Sequence, residues 1–399
     1  MGKELKQKFK KKCKYKMAAR KVNTIIVLGA GASKDIKFPT GVELLNAIAA
    51  LYNNKIFLGN IKRILWNNQQ KLFDNNLTDY LPSEILNKLH QGVIEYWTED
   101  SFDISGWTDK LFSTESIDDF LYYRKEYSIL AKLGAIAAIS NNEIEDYFKP
   151  NEHGIITRTW YNDLWELIRY NCKNLSDIKQ KLANLIIINF NYDRSFDYFL
   201  SSSIYNLFEN EINEKLNLEE LIPIFHVYGS IGSLLKDDEN YTKYSPIKFR
   251  EIPNWENKYK ISSWNEYGFE PEDTGKLSKY DERLLKIALN IKTYNDSTVQ
   301  SNVELFNKRT AEASHIYFFG FAYHEQNMSI LFPKENKIEY NMKTVGGTCY
   351  KMSRPNINKS RQFLSNILKN GNQVEMQGIG SDYREKKISA FIQDYGIIL

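Results

Sequence analysis

The stretch Thr24-Ile25-Ile26-Val27-Leu28-Gly29-Ala30-Gly31-Ala32-Ser33 decides how the rest of the chain is read. Its first five residues are apolar or β-branched with no polar alternation, the pattern of a strand buried on both faces. The run stops at two glycines one residue apart, and helical spacing starts near Gly41 and continues to Leu51. Strand, tight turn and helix start together make the geometry of a phosphate site. Glycine lets backbone approach an anion, and amides at a helix N-terminus supply donors and partial positive charge. Lys34 stands where the third glycine of Gly-x-Gly-x-x-Gly belongs, so the run alone reads equally as an ordinary strand-to-helix turn.

Working outward, Phe38-Pro39-Thr40-Gly41 breaks the chain, with Thr40 as a helix N-cap. From about 52 to 182 the spacing is helical, with helix entries at Leu81-Pro82-Ser83-Glu84 and at Ser116 to Leu121. Residues 129–139 are apolar nearly all round, as in a helix buried between layers, and Trp160, Leu164, Trp165 and Ile168 mark an amphipathic one. Strand patterns return at Leu185 to Phe190, Ile222 to Val227 and His315 to Gly320, with a further short one at Val374 to Met376. A loop-rich insertion at 236–275 carries Trp255 and Trp264. Helices are expected at 277–291, 303–313, 359–369 and 383–395, and a turn at Gly346-Gly347. Strands separated by helices predict an α/β fold with a parallel sheet, here interrupted by a large inserted helical subdomain.

Composition bounds the function. With 42% apolar and 26% charged residues and no apolar run of about 18, the 399-residue chain reads as a globular cytoplasmic protein without a membrane segment. Cys13, Cys172 and Cys349 are too few and too scattered for a four-ligand zinc ribbon, and His90, His153, His315 and His324 are dispersed, so no metal is expected. Residues 1–20 carry a net +8 against +3 for the whole chain, which leaves the remaining 379 residues at −5. The basic arm, 1–21, reads as a disordered, solvated tail, with weak nucleic-acid or acidic-partner contact as the alternative and Met17 as an alternative start. The body shows no dedicated nucleic-acid surface.

In a parallel sheet, ligands bind beyond the carboxyl ends of the strands. Those ends carry Gly29 to Ser33, Asn191-Tyr192-Asp193, His226 to Gly229 and Gly320 to His324. Each has a plain structural reading as well. Asn191 to Asp193 makes an Asx-turn and helix cap, His226 a hydrogen-bonded core histidine, and Gly320 a strand end.

As a set, these residues resemble the sirtuin-like family, within it the bacterial NAD-consuming branch associated with antiphage defence. The likeness rests on Gly29-Ala30-Gly31-Ala32-Ser33, Phe38-Pro39-Thr40-Gly41, Asn189-Phe190-Asn191-Tyr192-Asp193, His226-Val227-Tyr228-Gly229-Ser230 and Gly320-Phe321-Ala322, in order over residues 24 to about 325. It implies a Rossmann-like NAD-binding domain over 22–399, with NAD held by Gly29, Ala30, Gly31, Ala32, Ser33, Thr40, Gly229, Ser230, Gly320 and Phe321. The implied reaction is hydrolysis of NAD+ to nicotinamide and ADP-ribose. Asn191 orients the water or ribose hydroxyls, His226 takes a proton, Asp193 supports them, and Tyr228 is the reserve for His226. Three departures stand out: the zinc ribbon of deacylating sirtuins is absent, the Pro-Asp-Phe-Arg segment lacks its Asp and Arg, and Tyr228 stands where the family's histidine precedes the glycine. A two-residue strand repeat would put His226 on the same side as Tyr228. A deacylase or ADP-ribosyltransferase, and a non-catalytic NAD or ADP-ribose sensor, are the alternatives. A toxic NAD-consuming effector of abortive infection implies restraint by homo-oligomerisation or by a partner, such as a hexameric ATPase or a phage-sensing protein.

Overall fold

The computed structural model describes residues 23–91, 116–148, 157–212, 224–232, 274–294, 296–332, 340–368, 375–380 and 384–399, with 110, 111, 114, 152, 153 and 221. The basic arm with Cys13 and Met17, and residues 236–273 with Trp255 and Trp264, lie outside the described residues.

Six parallel strands form one sheet: β1 Thr24–Leu28, β2 Leu185–Asn189, β3 Ile224–His226, β4 His315–Phe319, β5 Thr344–Gly347 and β6 Glu375–Gln377. Their order is β3-β2-β1-β4-β5-β6, that of a Rossmann-like fold. The chain moves outward from β1 to β3, then returns to the other side of β1 as β4. The direction of winding therefore reverses between β1 and β4, the place beyond whose carboxyl ends ligands bind in open α/β sheets. Register aligns Leu28 with Asn189 and Phe319, and Asn189 with His226, so four carboxyl ends finish at one level.

Both faces of the sheet are covered, which explains the unalternated strands. Tyr317 and Phe319 of β4 meet Phe391 of the last helix, Ile388–Tyr395, while Phe318 between them meets Phe321, Tyr323 and Phe332 on the other face.

The inserted helical subdomain occupies the β1–β2 connection. Its described helices are α1 Gly41–Tyr52, α2 Lys55–Asn67, α3 Gln69–Asp74, α4 Ser83–Gln91, α5 Ile117–Tyr123, α6 Ser128–Ser140, α7 Trp160–Arg169 and α8 Leu175–Ala183. Every residue of α6 is buried, in keeping with its all-round apolar pattern. Gly134 lets α6 close onto α1, since a Cβ there would lie 2.8 Å from the Ile48 side chain. Helix α9, Ser195–Phe208, follows β2; α10, Thr274–Asn290, packs on α2 and α6. Arg63 clamps Asp281 with two hydrogen bonds of 3.0 Å, tying α2 to α10. Helices α11 Ser297–Glu312, α12 Glu325–Leu331, α13 Arg354–Leu368 and α14 Ile388–Tyr395 complete the order.

Gly346-Gly347 departs from its reading as a turn: both residues lie in β5, fully inside the sheet. The missing side chains are a packing requirement, because a Cβ on Gly346 would come within 2.7 Å of Phe391 and one on Gly347 within 2.4 Å of the Tyr323 hydroxyl. The short strand expected from Val374 is β6, with Val374 itself outside the described residues. Ile222 and Pro223 likewise lie outside them, and β3 starts at Ile224.

Candidate functional site

The β1 and β4 ends make a glycine-on-glycine contact. Gly29 N donates to Phe319 O and Gly31 N to Gly320 O, both at 3.0 Å, and Ala32 N turns back to Gly29 O at 2.8 Å. Gly320 sits at φ +57, and a Cβ there would lie 2.0 Å from Ala32 N; one on Gly29 would lie 2.6 Å from Gly320 O. Three amides of the Gly29-to-Ala32 turn are thus engaged inside the protein, and its glycines are required by the approach of two loops to each other. Ala30 remains exposed at the tip, opening a 3-10 turn over Ala30–Ile36. The Phe321 ring is buried between Phe190, 5.1 Å away, and Phe318. Thr40 caps α1 by donating its N–H and Oγ1 to Glu43, both at 2.9 Å. Lys34 and Thr40 hold the Glu43 carboxyl down at about 2.

The β2 end carries side-chain chemistry. Asn191 donates Nδ2 to Gly29 O at 3.0 Å and to Ser33 Oγ at 3.3 Å. Gly29 O can only accept, so the amide nitrogen must face it and Oδ1 must face away. That oxygen accepts no hydrogen bond among the described residues. Ser33 Oγ donates to Asp193 at 2.8 Å, and Asp193 also accepts from the N–H of Ser195 at 3.0 Å and from its hydroxyl. Ser195 Oγ meets Tyr161 OH at 2.7 Å, which carries the network into α7. Burial pushes the Asp193 carboxyl above its ordinary range. Asp193 therefore caps α9 and fixes Ser33, which helps fix Asn191.

This shell has a rigid backing. Trp160 stacks on Phe196 at 5.3 Å and donates to Ala32 O at 2.7 Å. Arg194, at the start of α9, is buried against Glu143 with contacts of 2.9 and 2.5 Å, so the turn after α6 pins the turn after β2.

His226 ends β3 with both ring nitrogens occupied: Nδ1 lies 2.9 Å from Asn191 O, and Nε2 lies 3.1 Å from each oxygen of Asp197 in the first turn of α9. Burial opposes the ring's charge, but Asp197, the Asn191 carbonyl and Asp193 outweigh it and raise the imidazole above its ordinary value. Tyr228 goes elsewhere. The strand stops at His226, a turn follows with Gly229 N 3.4 Å from His226 O, and Gly229 takes φ +78 against Asn290 O. The same-side expectation for His226 and Tyr228 therefore fails, because its two-residue repeat has ended. Tyr228 OH donates to Asn327 of α12 at 2.6 Å, with its ring 5.7 Å from Phe190. Ser230 Oγ is turned onto Gly232 O at 2.9 Å.

Tyr192 points to the inserted helices and donates to Asp118 at 2.6 Å. Burial raises Asp118 to about 6, and burial lowers the neighbouring Lys132 ammonium to about 8.

The structure thus brings Gly29, Gly31, Ala32, Ser33, Asn191, Asp193, His226 and Gly320 together, and places Thr40, Tyr228 and Ser230 in caps or turns with partners of their own. Asp197, Ser195, Tyr161 and Asn327 were not singled out in the sequence. Asp197 had one signal, an acidic residue in the first turn of the helix that follows Asn191-Tyr192-Asp193. Among the described residues no three His, Cys, Asp or Glu side chains are grouped to hold a metal ion, and no helix is long and apolar enough to cross a membrane. No protein-family model matches the chain, and no curated protein matches it.

Proposed function

We propose that this protein hydrolyses the nicotinamide–ribose bond of NAD+, releasing nicotinamide and ADP-ribose. The observation that carries the reading is Asn191: an amide locked by two donated hydrogen bonds, its oxygen left as a fixed acceptor, beside His226 and one strand out from the winding reversal of a Rossmann-like sheet. The sequence resemblance to sirtuin-like NAD-consuming proteins supports the same assignment.

In this reaction the C1′–N bond breaks with its electron pair leaving on nicotinamide, and a water oxygen bonds to the cationic sugar carbon. Asn191 Oδ1 orients the water or a ribose hydroxyl, the kind of placement worth many-fold in rate. With its Nε2 proton released to solvent, neutral His226 receives the proton lost by that water, and Asp197 balances the charge that results. The exposed Ala30 turn and the crevice beside Gly320 hold the dinucleotide. Such an enzyme depletes a central metabolite, which suits a cytoplasmic effector of antiphage defence restrained by self-assembly or by an ATPase or phage-sensing partner.

A second reading, binding of NAD or an ADP-ribose derivative without turnover, has one observation in its favour: neither ring nitrogen of His226 is open. Incubation of the pure protein with NAD+ and chromatography of the products separates the two. Hydrolysis predicts nicotinamide and ADP-ribose in equal amounts, reduced at least about 100-fold in Asn191→Ala and in His226→Ala. Intact NAD+ across protein concentrations, or full turnover in both variants, contradicts it.

A further inference from the structure

The contact between His226 and Asp197 joins two elements far apart in sequence, the end of β3 and the first turn of α9. His226 has one carbonyl at Nδ1 and one carboxylate at Nε2. Neither a carbonyl nor a carboxylate oxygen donates a proton, so both ring nitrogens must carry hydrogen for both contacts to be favourable. With side-chain exposures of only 13% and 18%, the pair is shielded from most of the water that weakens surface ion pairs. Among the described residues the other charge facing the ring is Asp193, from the turn between β2 and α9, and it acts in the same sense.

We infer that Asp197 is a positioning residue that keeps His226 as an oriented imidazolium and stands at the ring nitrogen a substrate hydroxyl needs. Nδ1–H on the Asn191 carbonyl fixes the ring's orientation, which leaves Nε2 as the working atom. In the free protein Nε2 is latched to Asp197. An entering hydroxyl or water gains Nε2 only by displacing the carboxylate, and the proton held between the pair must first move onto Asp197 or to solvent. The catalytic consequence rests on the NAD-hydrolysis reading; the latch itself does not.

The test uses the full chain labelled with 13C-histidine, with the His226 signal among the five histidines assigned by its loss in His226→Ala. NMR titration of the wild type should place the His226 midpoint above 6.5, the ordinary value for histidine. Asp197→Asn, which keeps shape but removes the countercharge, should lower that midpoint by about one unit or more, and Asp197→Glu should restore it. A wild-type midpoint at or below 6.5 overturns the inference without any variant, so it holds its meaning even where Asp197→Asn fails to fold. An unchanged midpoint in folded Asp197→Asn overturns it too. If NAD+ is consumed, the acidic limb of the rate profile should move to lower pH in Asp197→Asn by the same shift. If NAD+ is not consumed while the midpoint shifts as expected, the latch stands and the hydrolase reading falls.

Discussion

The two halves of the crevice are built on opposite plans. On the β1–β4 side, glycines bring backbone against backbone, and the amides of Gly29, Gly31 and Ala32 are engaged within the protein. On the β2–β3 side, the polar contacts are made by the side chains of Asn191, Asp193, Asp197 and His226. A glycine motif in such a crevice thus marks where two loops must touch, and the chemistry must be sought one strand further out.

The contrast can be broken from either side. The largest effect is expected for Gly320→Ala. Its Cβ would fall 2.0 Å from Ala32 N, against backbone with no freedom to yield, at a left-handed φ. A loss above about 4 kcal/mol, seen as insoluble protein or collapse of the thermal transition, is expected. A well-folded variant would show that the two loops can separate. Next comes Glu143→Gln, which leaves Arg194 charged and buried at the entrance to α9. Denaturant unfolding should show a loss of about 3–5 kcal/mol. A smaller loss would mean that the inserted helices do not brace the polar half. The smallest effect is Thr40→Ala, which removes a helix cap worth about 1 kcal/mol. If NAD+ is consumed, its turnover should be unchanged in that variant, and a selective rise in KM would place Thr40 at the cofactor site.

Much of the architecture was legible because central parallel strands are apolar without alternation: Thr24–Leu28, Leu185–Asn189 and His315–Phe319 stand out for that reason. β5 did not, since its glycines serve the packing of Phe391 and Tyr323, residues distant in sequence. In the site, Asn191 and Asp193 were readable as a short polar motif directly after a strand. Asp197 and Tyr161 were not, because each becomes meaningful only when β3 and α7 are folded against α9. The separation of His226 from Tyr228 was hidden for the same kind of reason: periodicity does not say at which residue a strand ends.

A crystal structure of the Asn191→Ala protein with NAD+ tests the central claim most directly. The account predicts the dinucleotide across the carboxyl ends of β1 and β4, with the sugar carbon that bears nicotinamide facing position 191 and His226. NAD+ seated elsewhere, or absent from the crevice at saturating concentration, would contradict it.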